Sequence, residues 1–286
     1  MTSRLEQEKV ENDAIRAMLY EVSVNPKPGL VDPVRSGAHP DMDVFNFIDS
    51  ALSLRPYFSK CFSSGVAFDG KDLRDLFDSI RADGIVAEKT MLAATKGLNT
   101  HKGAIFSLGI LVTALGYQNQ TRGLVVDELP AIVSSMLAGL LQDDFAGVQS
   151  KAPDRLTAGE KQFIKYGITG IRGQAAAGYP AVFKNGLPYL CQTTGTRNQR
   201  LLDTFMKIIS CTQDSNLIKR AGNIEIVKQV QLQAVKFLKA GGSKTKAGMT
   251  LIREMDQFFT ENHLSLGGSA DMLILTIFLA LLTENL

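Results

Sequence analysis

Five stretches of this 286-residue chain combine residue types suited to chemistry on anionic ligands. Asn25-Pro26-Lys27-Pro28-Gly29-Leu30-Val31-Asp32 sets one lysine between two prolines. Proline restricts the backbone, so such a loop presents Lys27 with little entropy left to lose. The same composition also suits an ordinary helix-ending turn with a solvated lysine. Asn99-Thr100-His101-Lys102-Gly103 leads directly into the apolar run Ala104 to Leu115. The first turn of a helix offers free N–H groups and a positive dipole end to phosphate. Lys102 adds charge there, and Gly103 permits close approach. A plainer account has Thr100 capping the helix and His101 at the surface.

The other three stretches divide in the same way. Gly167-Ile168-Thr169-Gly170-Ile171-Arg172-Gly173-Gln174 is either a loop wrapped on an oxyanion gripped by Arg172 or a glycine-rich connector. Asp214-Ser215-Asn216 followed by Arg220 is either a polar cluster or a helix cap with an intrahelical ion pair. In Gly267-Gly268-Ser269-Ala270-Asp271, Ser269 suits an N-cap and Asp271 a first-turn acid. The functional alternative makes Asp271 a base or a magnesium ligand beside a phosphate. Taken together, these loops support a nucleotide-handling enzyme and nothing finer.

Several chemistries are disfavoured. Three histidines (His39, His101, His263) lack zinc-ligand spacing, and Cys61, Cys191 and Cys211 form no C-x-x-C pair. There is no Walker A, G-x-S-x-G or G-x-G-x-x-G sequence. Thirty-one Lys and Arg against 29 Asp and Glu leave a net charge of +2, which gives no electrostatic case for nucleic acid or an anionic membrane. The charged start Met1-Thr-Ser-Arg-Leu-Glu-Gln-Glu-Lys has no signal-peptide apolar core. The longest apolar stretch, Met272 to Leu282, falls short of the ~20 residues of a membrane span. A cytoplasmic protein is expected.

The elements that must position these loops are helices. Val10, Ala14, Ile15, Met18, Leu19 and Val22 recur at helical spacing before Asn25-Pro26 breaks the pattern. A second helix from about Asp41 turns Phe47, Ile48, Ala51 and Leu54 one way and Asn46, Asp49, Ser50 and Ser53 the other. Further helices are expected near 71–96, 103–116, 124–142, 157–166, 201–210, 223–240, 248–262 and 270–283. Thr157 and Glu160 fit a capping box, and Gly241-Gly242 a C-terminal stop. Asn185-Gly186 allows one small β-hairpin near 179–192. Without repeats, linkers or composition breaks, residues 1–286 read as a single all-α domain.

At the same five loops the sequence resembles the triphosphoribosyl-dephospho-CoA synthases. The matching segments are Asn25 to Asp32, Thr100-His-Lys-Gly-Ala-Ile-Phe-Ser-Leu-Gly109, Gly167 to Gly173, Asp214-Ser-Asn216 with Arg220, and Leu264-Ser-Leu-Gly-Gly-Ser-Ala-Asp271. They occur in the family's order and span nearly the whole chain, as in the stand-alone form without an extra domain. The resemblance implies an all-α fold and one reaction. ATP and 3′-dephospho-CoA give 2′-(5″-triphosphoribosyl)-3′-dephospho-CoA and free adenine. The product is the prosthetic-group precursor of citrate lyase, with a sister branch serving malonate decarboxylase. Mg²⁺ is expected, and the partners are the two small-molecule substrates, with a homodimer allowed. The pattern carries Pro where this chain has Leu266, and Glu where it has Gln174. The second exchange keeps shape and removes a charge.

That reaction breaks the bond between ribose C1′ and adenine N9 with oxocarbenium character, so adenine needs a proton and the attacking 2′-hydroxyl a base. Water must be kept from C1′. Under the resemblance, Lys27, His101, Lys102, Arg172, Arg220 and Ser269 are assigned to the nucleotide. Asp271, Asp214 and Asp49 are candidate acid–base groups. Asp32, Asp214, Asp271 and Gln174 are candidate magnesium ligands. The competing readings are a Mg²⁺-dependent N-glycosidic hydrolase and a non-catalytic nucleotide- or CoA-binding regulator.

Overall fold

The computed structural model describes residues 6–286; Met1–Leu5, the first part of the charged start, lie outside the described residues. In chain order the helices are α1 (Gln7–Ser23), α2 (Val44–Ser53), α3 (Arg55–Ala67), α4 (Leu73–Ala94) and α5 (Lys102–Asn119). Then come α6 (Leu129–Met136), α7 (Leu140–Asp144), α8 (Ala158–Tyr166), α9 (Gly170–Ala176) and α10 (Leu187–Gln192). The chain ends with α11 (Arg197–Ile209), α12 (Ser215–Ala221), α13 (Glu225–Lys239), α14 (Lys246–Glu261) and α15 (Gly267–Leu282). Among the described residues there is no strand, and no helix is long and apolar enough to cross a membrane.

Two helices form the axis of one contiguous apolar core. α5 buries Ala104, Ile105, Leu108, Ile110, Leu111, Val112 and Leu115, and α15 buries every residue from Met272 to Leu282. A helix apolar on all sides must be surrounded. α1 covers α15 on one flank and α11 on another, while α3 packs most extensively on α5. The α3–α5 crossing is a backbone contact. A Cβ on Gly65 would lie 2.2 Å from the Thr113 carbonyl oxygen, and one on Gly116 2.2 Å from that of Phe62. No residue but glycine fits at either position.

The segment 179–192 corrects an expectation. It is helical, a π-helical stretch Ala181–Gly186 running into α10. An Asn-Gly hairpin turn needs positive φ at both residues; Gly186 instead has φ −62° and ψ −56°. The side-chain spacing explains the outcome. Tyr179, Val182, Leu187 and Leu190 are buried together, a helical rather than alternating pattern. The expected helix at 124–142 is divided into a short 3₁₀ turn, α6 and α7, with Gly139 at φ 91° between the last two. The Thr157–Glu160 capping box and the Gly241 stop are present.

Candidate active site

The N-termini of α5, α12 and α15 converge. Two adjoining cavities, ≈ 440 Å³ and ≈ 460 Å³, open around them and share Ile171, Ser215 and Gly268 as a common wall. The first is lined by Lys27, His101, Lys102, Lys219, Arg220 and Asp271, among others. The second is lined by Gly167, Ile168 and Thr169, by Gly170, Ile171, Gly173 and Gln174 of α9, which replaces the second half of the expected loop, and by Thr212, Asp214 and Ser269. Neither N-cap residue, His101 of α5 or Leu266 of α15, makes a side-chain cap bond. Asn99 Oδ1 accepts from Lys102 N–H at 3.3 Å and Asp214 Oδ2 from Ser269 N–H, so part of each first turn is bonded, while the positive dipole ends still face the cavities.

The loop from Asn25 is built around Asp32. Its Oδ1 accepts from Val34 N–H at 2.8 Å and Arg35 N–H at 2.9 Å; its Oδ2 accepts from Asn25 Nδ2 at 2.7 Å and Lys27 N–H at 3.4 Å. Four bonds fill a carboxylate's acceptor positions. The loop thereby delivers Lys27 inward. Lys27 is 1% exposed, forms an ion pair with Glu21 of α1 and donates to the Glu21 carbonyl at 2.8 Å. It is not the solvated lysine of an ordinary turn.

Asp214 is treated similarly. Its Oδ1 accepts from Asn216 N–H and Leu217 N–H, which caps α12, and its Oδ2 accepts from Ser269 N–H at 2.7 Å and Ser269 Oγ at 2.9 Å. It thus ties the start of α12 to the start of α15. Burial pushes its carboxyl above the usual range, opposed by these bonds. Ser269 is not an N-cap: α15 begins at Gly267, earlier than expected, because Gly267 and Gly268 already take helical positions against Asn216 and Asp214. Asp271 consequently lies beyond the first turn.

Asp271 differs from the other two acids. It accepts no hydrogen bond and forms no ion pair among the described residues, and it sits against Gly103 of α5. Burial, then the negative charges of Asp214 and Glu21, push its carboxyl well above the ordinary carboxylate range. A carboxyl so placed keeps its proton to higher pH than a solvated one.

His101 is buried at 2% exposure, contrary to the surface alternative. Its Nδ1 meets Ser50 Oγ at 2.7 Å, and Phe47 packs edge-on at 5.1 Å. Burial and the nearby Lys27 charge push its pKa down to about 3, so the ring is neutral. Thr100 does not cap α5; its hydroxyl donates to Ser50 Oγ at 2.8 Å. Lys102 stands at the rim, paired with Glu88 at 2.8 Å. Arg220 donates to His39 Nδ1 at 3.3 Å and to the His263 carbonyl at 3.4 Å, and makes no bond to Asp214. His39 in turn contacts Ser265 Oγ at 3.0 Å.

Three assigned residues lie differently. Arg172 pairs with Asp144 at 2.5 Å and lines a separate cavity between α4, α5 and α7. Asp49 is exposed and lines neither central cavity. The next residue, Ser50, is the one that faces inward. Gln174 borders the second cavity, where its Oε1 accepts from Ala181 N–H at 3.3 Å. Sequence reasoning missed Glu21, Ser50, His39 and Lys219 as site residues, and took Asn216 only as part of a polar cluster. Glu21 left a trace: it follows Met18 by three residues, which puts a carboxylate on the apolar face of α1.

A family model described as ATP:dephospho-CoA triphosphoribosyl transferase, CitG, matches residues 7–286. The chain belongs to the CitG family. As a member it is a transferase with ATP and dephospho-CoA as substrates. It is 55% identical over 277 residues to a probable 2-(5″-triphosphoribosyl)-3′-dephosphocoenzyme-A synthase of Lactiplantibacillus plantarum, covering 97% of this chain and 98% of that one. It is 49% identical over 284 residues to Protein CitXG of Leuconostoc mesenteroides, covering 99% of this chain and 61% of that longer protein. A probable synthase of the same description from Streptococcus equi is 37% identical over 286 residues, with 96% of each chain covered. No solved structure matches the chain significantly. The five segments that carry the resemblance each contribute residues to the walls of the two cavities, Arg172 apart.

Proposed function

We propose that the two adjoining cavities are the seats of the two substrates and that Asp271 is the acid–base group at the reacting carbon. The triphosphate of ATP lies in the cavity walled by Lys27, Lys102, Lys219 and Arg220 and by the starts of α5 and α15. Dephospho-CoA reaches C1′ from the cavity walled by Gly167–Thr169 and the start of α9. Each volume is within the range of small-molecule sites. Asp214 and Ser269 hold the two helix starts in register, and the Asp32 bonds hold Lys27.

The observation that carries this reading is Asp271, a carboxyl facing the cationic cavity without a protein partner. Protonated, it donates to the departing adenine as the C1′–N9 bond breaks. The carboxylate left behind faces the oxocarbenium centre and can accept the proton of the attacking 2′-hydroxyl.

The residues present do not fit a resident metal. Among the described residues no group of three or more His, Cys, Asp or Glu is placed to hold one, and Asp32 and Asp214 have their acceptor positions filled. Magnesium enters this reading only as a companion of the triphosphate. We assign the product to prosthetic-group synthesis for citrate lyase, in the cytoplasm, with the chain acting as one domain. Incubation with ATP and dephospho-CoA followed by mass analysis tests the reading. A triphosphoribosyl adduct with one adenine per adduct is expected. Adenine and free ribose triphosphate without adduct would replace it with a hydrolase, and unchanged substrates with a binding protein.

A further inference from the structure

Among the described residues, Ser50 Oγ is fully buried and has two partners, Thr100 and His101. Thr100 donates to it. The hydrogen of Ser50 itself must then go to the remaining acceptor, which is His101 Nδ1. A neutral imidazole that accepts at Nδ1 carries its proton on Nε2. That nitrogen is buried and has no hydrogen-bond partner. A buried N–H without an acceptor is costly, and few are left so.

The ring belongs to the wall of the first cavity, immediately before the positive end of α5 and beside Lys27. An anionic oxygen drawn to those groups would supply the missing acceptor. We propose that the Thr100–Ser50 pair fixes His101 as a neutral Nε2–H donor to a phosphate oxygen of the nucleotide. The assignment rests on the reading that this cavity takes ATP. His101 is then a binding residue that reads an anion without adding charge, and Ser50 is a positioning residue that acts through it. Lysine and arginine in the same wall supply attraction; the imidazole supplies direction.

The test has two readouts on the full chain. Nitrogen-15 spectra of the histidine rings in the ligand-free protein report the tautomer. His101 is expected with a bare Nδ1 and a protonated Nε2, and Ser50→Ala is expected to scramble that signature while the fold persists. Calorimetry with ATP is expected to show about tenfold weaker binding for Ser50→Ala and for His101→Phe. His101→Gln, whose amide N–H can reach the Nε2 position, is expected to recover most of the loss. A protonated Nδ1 or a charged ring in the wild type would overturn the tautomer assignment. The expected tautomer with unchanged ATP affinity in both weakened variants would overturn the donor role. Absence of ATP binding by the wild type would overturn the reading of the cavity, and the donor role with it, whatever the tautomer.

Discussion

Asp271 and Gly103 touch so closely that a methyl group on Gly103 would lie 1.9 Å from Asp271 Oδ2. The contact joins the two buried axial helices at the ends where their dipoles are positive, and it leaves the carboxyl one place to sit. Gly103→Ala is therefore expected to push the carboxyl aside. Turnover should fall on the order of 10²-fold through misplacement alone. Stability should fall by about 1–3 kcal/mol, because the added methyl overpacks a buried contact. Steady-state kinetics beside a thermal melt separate the two effects; normal turnover would show that the contact is incidental.

Asp271→Asn is expected to cost about 10²–10⁴-fold in turnover. The pH dependence carries its own sign. The folded carboxyl titrates higher than the unfolded one, so between those two values the native state binds the extra proton. Stability contributed by protonated Asp271 is present below the unfolded pKa and is lost as pH rises through the folded pKa. The melting temperature of the wild type should therefore fall relative to Asp271→Asn as pH rises above the ordinary carboxylate range. A constant difference across that window would contradict the raised pKa.

Lys27 and Glu21 form a buried ion pair at 1% and 3% side-chain exposure. Removing one partner leaves a buried charge. Lys27→Met is expected to destabilise the fold by roughly 3–5 kcal/mol, and the double variant Lys27→Met, Glu21→Leu to recover most of it. Neither variant should bind ATP well. Urea unfolding of both checks the first claim and calorimetry the second.

Arg172 and Arg220 should part company. Arg172 is held by Asp144 outside the two central cavities, whereas Arg220 lines the first. Arg220→Ala is expected to weaken ATP binding by about tenfold, as loss of a charge-assisted bond does. Arg172→Ala should change it less than about twofold, within the range of a surface pair. Equal losses would mean that Arg172 swings inward on binding.

Gln174→Glu restores the charge carried by the family pattern. The new carboxylate can accept from the same Ala181 N–H that Gln174 Oε1 accepts from. The fold should persist, and turnover should rise if that charge serves the reaction. An unchanged rate would make the position a helix-to-helix tie and nothing more.

What the sequence disclosed followed the range of each interaction. Helical periodicity placed α1, α4, α5, α8, α11 and α13 to α15 within a few residues, because an amphipathic face or an apolar run is local information; the short α12 was not placed. The division at Leu54 was harder to see: Pro56 opens α3 without any break in apolar spacing. The loops that wall the cavities were legible as glycine- and proline-bearing motifs. The partners of their side chains were not. Asp214 is bound to Ser269, 55 residues away, and His101 to Ser50, 51 residues away. No local pattern encodes such pairs. Asp49 and Ser50 show the margin involved, since adjacent helical residues differ by about 100° in direction.

The glycine crossing of α3 and α5 has a bearing on chemistry that occurs elsewhere. Gly116 sits near the far end of α5 from Gly103, about 20 Å along the axis at the rise of an α-helix. Backbone against backbone leaves α5 no slack to slide. A slip of a single residue at the crossing would travel the length of the rod and arrive at Asp271 as a displacement of about 1.5 Å. The fit of Gly103 against Asp271 is thus set remotely, by two residues that carry no side chain at all.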